Sequence, residues 1–141
     1  MTARIGYLLD TNFLSELRRP RPDHGVVEFF ADVDGNRLFI SVLTIGELRK
    51  GVAARRASDI TMADRLGEWV DSIESMFPDR ILAVDQAIAR LWGELSARRS
   101  LPVVDTLIAA TAAVHDLTLV TRNTRDVLSA SVEVLNPWRA T

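Results

Sequence analysis

The chain has 141 residues, about the size of one typical domain, with 48% hydrophobic residues and no cysteine. This composition is too apolar for a disordered chain, and it excludes a disulfide scaffold, a thiolate nucleophile, a zinc ribbon and an iron–sulfur cluster, so any metal must sit on oxygen or imidazole. The net charge is −2, and its distribution is uneven: Arg49, Lys50, Arg55 and Arg56 form a basic run while Asp59 to Asp79 holds six acids and one base, which predicts one basic and one acidic face.

In chain order, Ile5 to Leu9 is a short apolar run cut off by Asp10, too short for a signal-peptide core and fit for a strand buried on both faces. Helical periodicity follows over Asn12 to Arg19 and Gly25 to Asp32, then a strand at Leu38 to Ile40 and helices over Ile45 to Arg56 and Ala63 to Met76. Ile81-Leu82 reads as a short strand, Gln86 to Arg99 and Val103 to His115 as helices, Leu117 to Val120 as a strand, and Val132 to Leu135 as a last weak one. Pro20, Pro22, Pro78, Pro102 and Pro137 fall between these elements, and no linker or repeat divides the chain, so residues 1–141 read as one domain. No apolar run approaches the roughly 18 residues of a membrane span, and a soluble cytoplasmic protein is expected. Strands alternating with helices predict an α/β fold with a mostly parallel sheet. Such sheets place their chemistry beyond the carboxyl ends of the strands, where this chain has Asp10-Thr11-Asn12 and Thr121 to Asp126.

Four acids near those ends each have a plain structural reading. Asp10 can cap the helix it precedes, Thr44-Ile-Gly-Glu47 fits a capping box, Asp105 can cap the small-residue helix after Pro102, and Asp126 can be a solvated turn residue. Taken together they read differently. Converging carboxylates repel unless they are protonated or bind a divalent cation, and hard oxygen ligands without cysteine or paired histidine suit Mg²⁺ or Mn²⁺. Setting those four acids aside leaves 15 acids against 17 bases, a balance that suits a polyanionic partner.

Five ordered motifs carry a resemblance. Leu8-Leu-Asp-Thr-Asn12, Thr44-Ile-Gly-Glu-Leu-Arg-Lys-Gly51, Val104-Asp-Thr-Leu-Ile-Ala-Ala-Thr111, Leu119-Val-Thr-Arg-Asn-Thr-Arg-Asp126 and Val134-Leu-Asn-Pro-Trp138 together resemble the PIN-domain ribonucleases, most closely the VapC/FitB group of toxin–antitoxin nucleases. The resemblance implies a three-layer α/β/α fold around an about five-stranded sheet. It implies an Mg²⁺-dependent endoribonuclease toxin acting on RNA, with a VapB-like antitoxin and a homodimer. Asp10 and Asp105 match the principal metal-binding aspartates, Glu47 the glutamate that completes the cluster, and Thr11 and Asn12 the residues that support the first aspartate. At the fourth acidic position the chain departs from the pattern: Asn123 stands where many members have aspartate, and Asp126 follows a turn later. Arg122 and Arg125 flank the site as candidate phosphate contacts, and Arg49 and Lys50 are candidates to track the RNA backbone further out, against the alternative of a solvated helix face.

Other residues read as structure. His24 and His115 lack metal-ligand spacing, Trp92 falls at core spacing, and core packing accounts for most of Phe13, Leu14, Leu17, Phe29 and Phe30, although an antitoxin groove is the alternative there. Two rival functions are a haloacid-dehalogenase-like phosphatase, which needs a second aspartate where Asn12 stands, and a catalytically inactive PIN-like module that binds RNA or antitoxin.

Overall fold

The apolar runs that are too short for helices pair into one five-stranded sheet, all parallel, in the order β3-β2-β1-β4-β5. The strands are β1 (Tyr7–Leu9), β2 (Leu38–Ser41), β3 (Ile81–Leu82), β4 (Thr118–Val120) and β5 (Val134–Leu135), and among the described residues six α-helices accompany them: α1 (Thr11–Leu17), α2 (His24–Asp32), α3 (Val42–Arg56), α4 (Ile60–Met76), α5 (Gln86–Ser96) and α6 (Val103–Val114). The computed structural model describes residues 6–97, 100–124 and 132–139.

Strand β1 is central, and both Leu8 and Leu9 are fully buried, one on each face. Leu9 packs with Phe13, Leu14, Val26, Leu48 and Val70, which places α1 to α4 on one side of the sheet. Leu8 packs with Ile108, Ala109 and Ala112 of α6 on the other side, and Ile88 and Leu95 of α5 cover α6 through Ala110. This is the α/β/α layering that the resemblance implies. The small residues of α6 let it lie close to its neighbours. Phe13 and Leu14 are fully buried and Leu17, Phe29 and Phe30 pack against that core, so the packing reading holds for all five. Trp92 likewise packs in the α5/α6 cluster.

Two expectations are corrected. Helix α3 begins at Val42, with Ser41 as its cap accepting from Leu43 N–H at 3.0 Å, so Thr44 and Glu47 lie inside the helix and form no capping box. The strand runs directly into the helix, and no turn residue marks the boundary. The basic run and the acidic run also do not form separate faces. Helices α3 and α4 pack together, Arg49 pairs with Asp71 and Glu74, each at 2.6 Å, and Arg56 pairs with Asp64 at 2.9 Å. Charges that look segregated along the chain therefore neutralise one another across a helix pair, each such exposed contact contributing about 0.2–1 kcal/mol.

The segment after β5 returns over α2, where Arg139 N–H donates to Asp23 Oδ2 at 3.0 Å. A methyl group at Gly25 would stand 2.0 Å from the Pro137 carbonyl oxygen and 2.9 Å from Arg139 Cγ. In an open helix Gly→Ala gains about 1 kcal/mol. Here the carbonyl is backbone, so the segment has to move, at a cost of about 1–3 kcal/mol. Gly25→Ala is therefore expected to lower Tm in a thermal denaturation scan, and a raised Tm would contradict the packing.

Candidate active site

The strand order reverses its direction of growth at β1, which lies between β2 and β4, and the crevice at such a reversal is where open α/β sheets place ligands. Asp10 is the first residue past β1. Its N–H closes the ladder on the Val120 carbonyl at 3.0 Å, and its side chain caps α1 by accepting from Thr11 N–H at 2.8 Å. The capping reading of Asp10 is thus correct, and it accounts for only one of the two carboxylate oxygens. The other, Oδ2, accepts from the Thr121 hydroxyl at 2.7 Å.

Thr121 is buried, directly after β4, and its hydroxyl uses all its capacity: it donates to Asp10 and accepts from Asn12 Nδ2 and from Asn123 N–H, both at 3.2 Å. The register aligning Leu9 with Val120 puts Thr121 beside Asp10. Burial pushes the Asp10 carboxyl above its ordinary range; the Thr121 and Thr11 hydrogen bonds pull it back, and the charges of Asp105 and Glu47 push it up again.

Glu47 reaches the same place from the second turn of α3. Its Oε1 accepts from the Thr11 hydroxyl, whose single proton is thereby used, and Thr44 lies 3.1 Å from that hydroxyl with its own proton to give. Asp105 stands in the first turn of α6, whose cap position is Pro102 with no side-chain bond, so Asp105 is not the cap. It is exposed and free to face a ligand. Asp10, Thr11, Asn12, Ser15, Glu16, Arg19, Glu47 and Asp105 line one open cleft of about 470 Å³.

That cleft suits a hard divalent cation. Its donors are oxygens, and Asn12 Oδ1 is buried with no partner, an acceptor left over at the wall. Among the described residues no three carboxylates or imidazoles stand close enough to share one ion directly. Mutual repulsion opposes closer approach, and Mg²⁺ uses one or two carboxylates and keeps several waters. Asp10, Glu16, Glu47 and Asp105 are the carboxylates that line the cleft.

The remaining candidates divide. Asn123 is exposed and joins the network through its backbone N–H, and it is not among the cleft-lining residues. Arg125 and Asp126 lie outside the described residues. The Arg122 guanidinium sits over the Trp138 ring, 5.8 Å from its centroid, and does not line the cleft. Arg49 is engaged by Asp71 and Glu74 and so is not a free base for a strand, whereas Lys50 is exposed. Sequence reasoning overlooked Thr121 and Thr44 as supports. A threonine directly after a buried strand, aligned with an aspartate directly after its neighbour, was the signal available for the first.

Glu16 was also unread. Its carboxylate is buried, which tends to raise its pKa, but hydrogen bonds from Asp23 N–H and Arg19 together with the Arg19 charge outweigh this and hold it below the usual carboxylate range. A depressed folded pKa adds stability that is present above the ordinary value of 4.5 and is lost as pH falls through the folded value. Glu16→Gln is thus expected to destabilise the protein at pH 7, and the Tm difference from wild type should shrink as pH is lowered below 4.5. A constant difference would remove Glu16 as its source.

Known proteins share this fold. The sequence model of the family described as PIN domain matches residues 7–130. Toxin FitB of Neisseria gonorrhoeae is 35% identical over 138 residues, 93% of this chain and 97% of that protein. A protein named VapC ribonuclease Y4jK, from Sinorhizobium fredii, is 32% identical over 139 residues, 93% of this chain and 96% of that one. The crystal structure of FitAcB from Neisseria gonorrhoeae superposes with a TM-score of 0.84 at 34% identity, covering 95% of this chain and 99% of that one.

Proposed function

The chain belongs to the PIN domain family, and from that premise we propose that it is an Mg²⁺-dependent endoribonuclease, with Mn²⁺ as an alternative cation, and the toxin of a toxin–antitoxin pair. The observation that carries the reading is the convergence of Asp10, Glu47 and Asp105 on one cleft at the reversal point of the sheet. A relative named as a toxin and another named as a ribonuclease support it.

A divalent cation in this cleft supplies Lewis-acid polarisation of the scissile phosphodiester and makes an attacking water more acidic. The chain does the rest. Thr121 and the Thr11 N–H fix both oxygens of Asp10, so that carboxylate enters the reaction already oriented. Thr11 holds Glu47 by Oε1, which leaves Oε2 to take the proton of the attacking water. Asn12 Oδ1 is the acceptor that can hold that water in line. The water oxygen would bond to phosphorus as the P–O3′ bond breaks, leaving a 5′ phosphate and a 3′ hydroxyl whose proton comes from solvent.

Next to the cleft, and sharing Thr11, Ser15, Arg19 and Glu47 with it, runs a groove floored by Leu48, Leu66 and Trp69. An antitoxin segment seated there closes the site, and the same reading includes a homodimer of single-domain protomers acting in the cytoplasm. Among the described residues no helix is long and apolar enough to cross a membrane.

The test is cleavage of total RNA by purified protein without its partner, in Mg²⁺ or Mn²⁺, beside an EDTA control, with fragment ends mapped. Discrete cuts bearing 5′ phosphates that vanish in EDTA are expected. A folded protein that binds metal and cuts nothing would shift the reading to an inactive RNA- or antitoxin-binding module.

A further inference from the structure

The Glu16 carboxylate is a buried charge at the cleft wall that the hydrolytic scheme leaves unused. We propose that Arg19 is a phosphate-contact residue for the RNA strand, held over the cleft by Glu16 as its positioning residue. This inference rests on the ribonuclease reading and adds how that site grips its substrate.

Helix α1 is short, ending at Leu17 with Arg18 as its C-cap, and the turn that follows delivers Arg19 to the site. Asn12, Glu16 and Arg19 all line the cleft. Pro20 and Pro22 stop the helix, and Arg19 N–H still bonds the Glu16 carbonyl at 3.1 Å. Glu16 then holds two groups at once. Its Oε2 accepts from Asp23 N–H at 2.9 Å, which anchors the carboxylate to the start of α2, and its Oε1 accepts from Arg19 Nη1 at 3.2 Å. The Glu16 side chain is 8% exposed and the Arg19 side chain 63%. A rigid, buried partner thus holds one edge of the guanidinium fork, and most of the fork faces solvent at the cleft.

Among the described residues that line the cleft, Arg19 is the only base. The three carboxylates of the site repel a phosphodiester, and a single divalent ion offsets only part of that charge. Glu16 cancels the Arg19 charge at long range, so Arg19 adds little to the overall field. What it adds is short-range and directional: planar N–H donors matched to phosphate oxygens, presented at a fixed angle. Arg19 also lines the adjoining groove with Arg18 and Arg55, so a strand leaving the cleft on that side meets further cationic side chains. Losing Arg19 carries a second penalty, because it strips Glu16 of its counter-charge and leaves a carboxylate held only by Asp23 N–H at the wall.

The test pairs binding with kinetics. A fluorescein-labelled single-stranded RNA of mixed sequence is titrated, in Mg²⁺, against Asp10→Asn protein with and without Arg19→Ala. Loss of Arg19 is expected to weaken binding about tenfold and to reduce the slope of log affinity against log salt by about 0.7, the share of one single-strand phosphate contact. In the cleaving protein Arg19→Ala should raise KM about tenfold and change kcat less than about threefold, the pattern of lost uniform binding. Arg19→Lys should recover the salt slope and only part of the affinity, while Glu16→Gln should raise KM and leave the salt slope intact, because the cation remains and only its orientation is lost. Unchanged binding and KM in Arg19→Ala, with wild type cutting normally, overturns this inference alone. A wild type that binds RNA but never cuts, with binding still dependent on Arg19, overturns the hydrolytic reading and keeps the contact. A folded wild type that neither binds nor cuts RNA overturns both.

Discussion

On the proposed reading, Asp10→Asn is expected to leave a folded protein whose RNA cleavage is slower by on the order of 10³-fold or more, because the substitution removes the best-oriented carboxylate of the cleft. The fold should survive for a reason visible in the hydrogen bonds. Asparagine is as good a helix cap as aspartate, so the bond from Thr11 N–H can be kept. The bond from Thr121 cannot be kept at the same time, since the amide offers one acceptor where the carboxylate offers two. That loss, about 1 kcal/mol, is set against relief from burying a charge beside Asp105 and Glu47. The two effects are similar in size, and the stability of Asp10→Asn should stay within about 1 kcal/mol of wild type. Their balance has a definite pH dependence. The wild-type carboxyl titrates above its ordinary 3.8, so its ionisation costs stability fully above the folded pKa and not at all below 3.8. Relative to wild type, the variant should gain as pH rises through that window and lose as it falls. Urea denaturation at several pH values reads this directly, and a large loss at neutral pH would mean that Asp10 serves the fold more than the site.

Thr121→Val should be the most damaging conservative change outside the carboxylates. The shape is preserved, but the valine leaves Asn12 Nδ2 and Asn123 N–H without their acceptor and Asp10 Oδ2 without its donor. Buried polar groups stripped of a partner cost about 1–3 kcal/mol each, and some of these can still find water, so a loss of about 2–4 kcal/mol is expected. Activity should fall about 10–100-fold, the usual effect of removing the group that orients a metal ligand. Thr121→Ser keeps the hydroxyl and should restore most of both. Equal damage from serine and valine would assign the effect to the lost methyl group and not to the network.

Much of the site was legible in the sequence because aspartate at the end of an apolar run, before a helix, is a local signal. Asp10 could be found this way, as the alternation of strands and helices could show a parallel sheet. What was missed is what depends on partners far along the chain. Thr121 gains meaning only from the register of β1 against β4, and Arg49 loses its freedom only because α4 brings Asp71 and Glu74 against it. Glu47 was placed in a capping box because Thr44 looks like a cap, whereas Ser41, the last residue of a strand, does the capping. No turn separates β2 from α3, so local turn chemistry could not mark the boundary.

The bond from Thr121 to Asp10 joins residues 111 positions apart. Strand β1 and helix α1 are made early, yet the carboxylate they carry is held by one oxygen only until β4 docks at its side. Closing so long a loop is slow compared with local helix formation. A partly synthesised chain that has not reached Thr121 therefore carries its first aspartate without the hydroxyl that aims it. On the proposed reading, hydrolytic competence waits until β4 has docked, and a destructive activity is withheld until the protein is nearly whole.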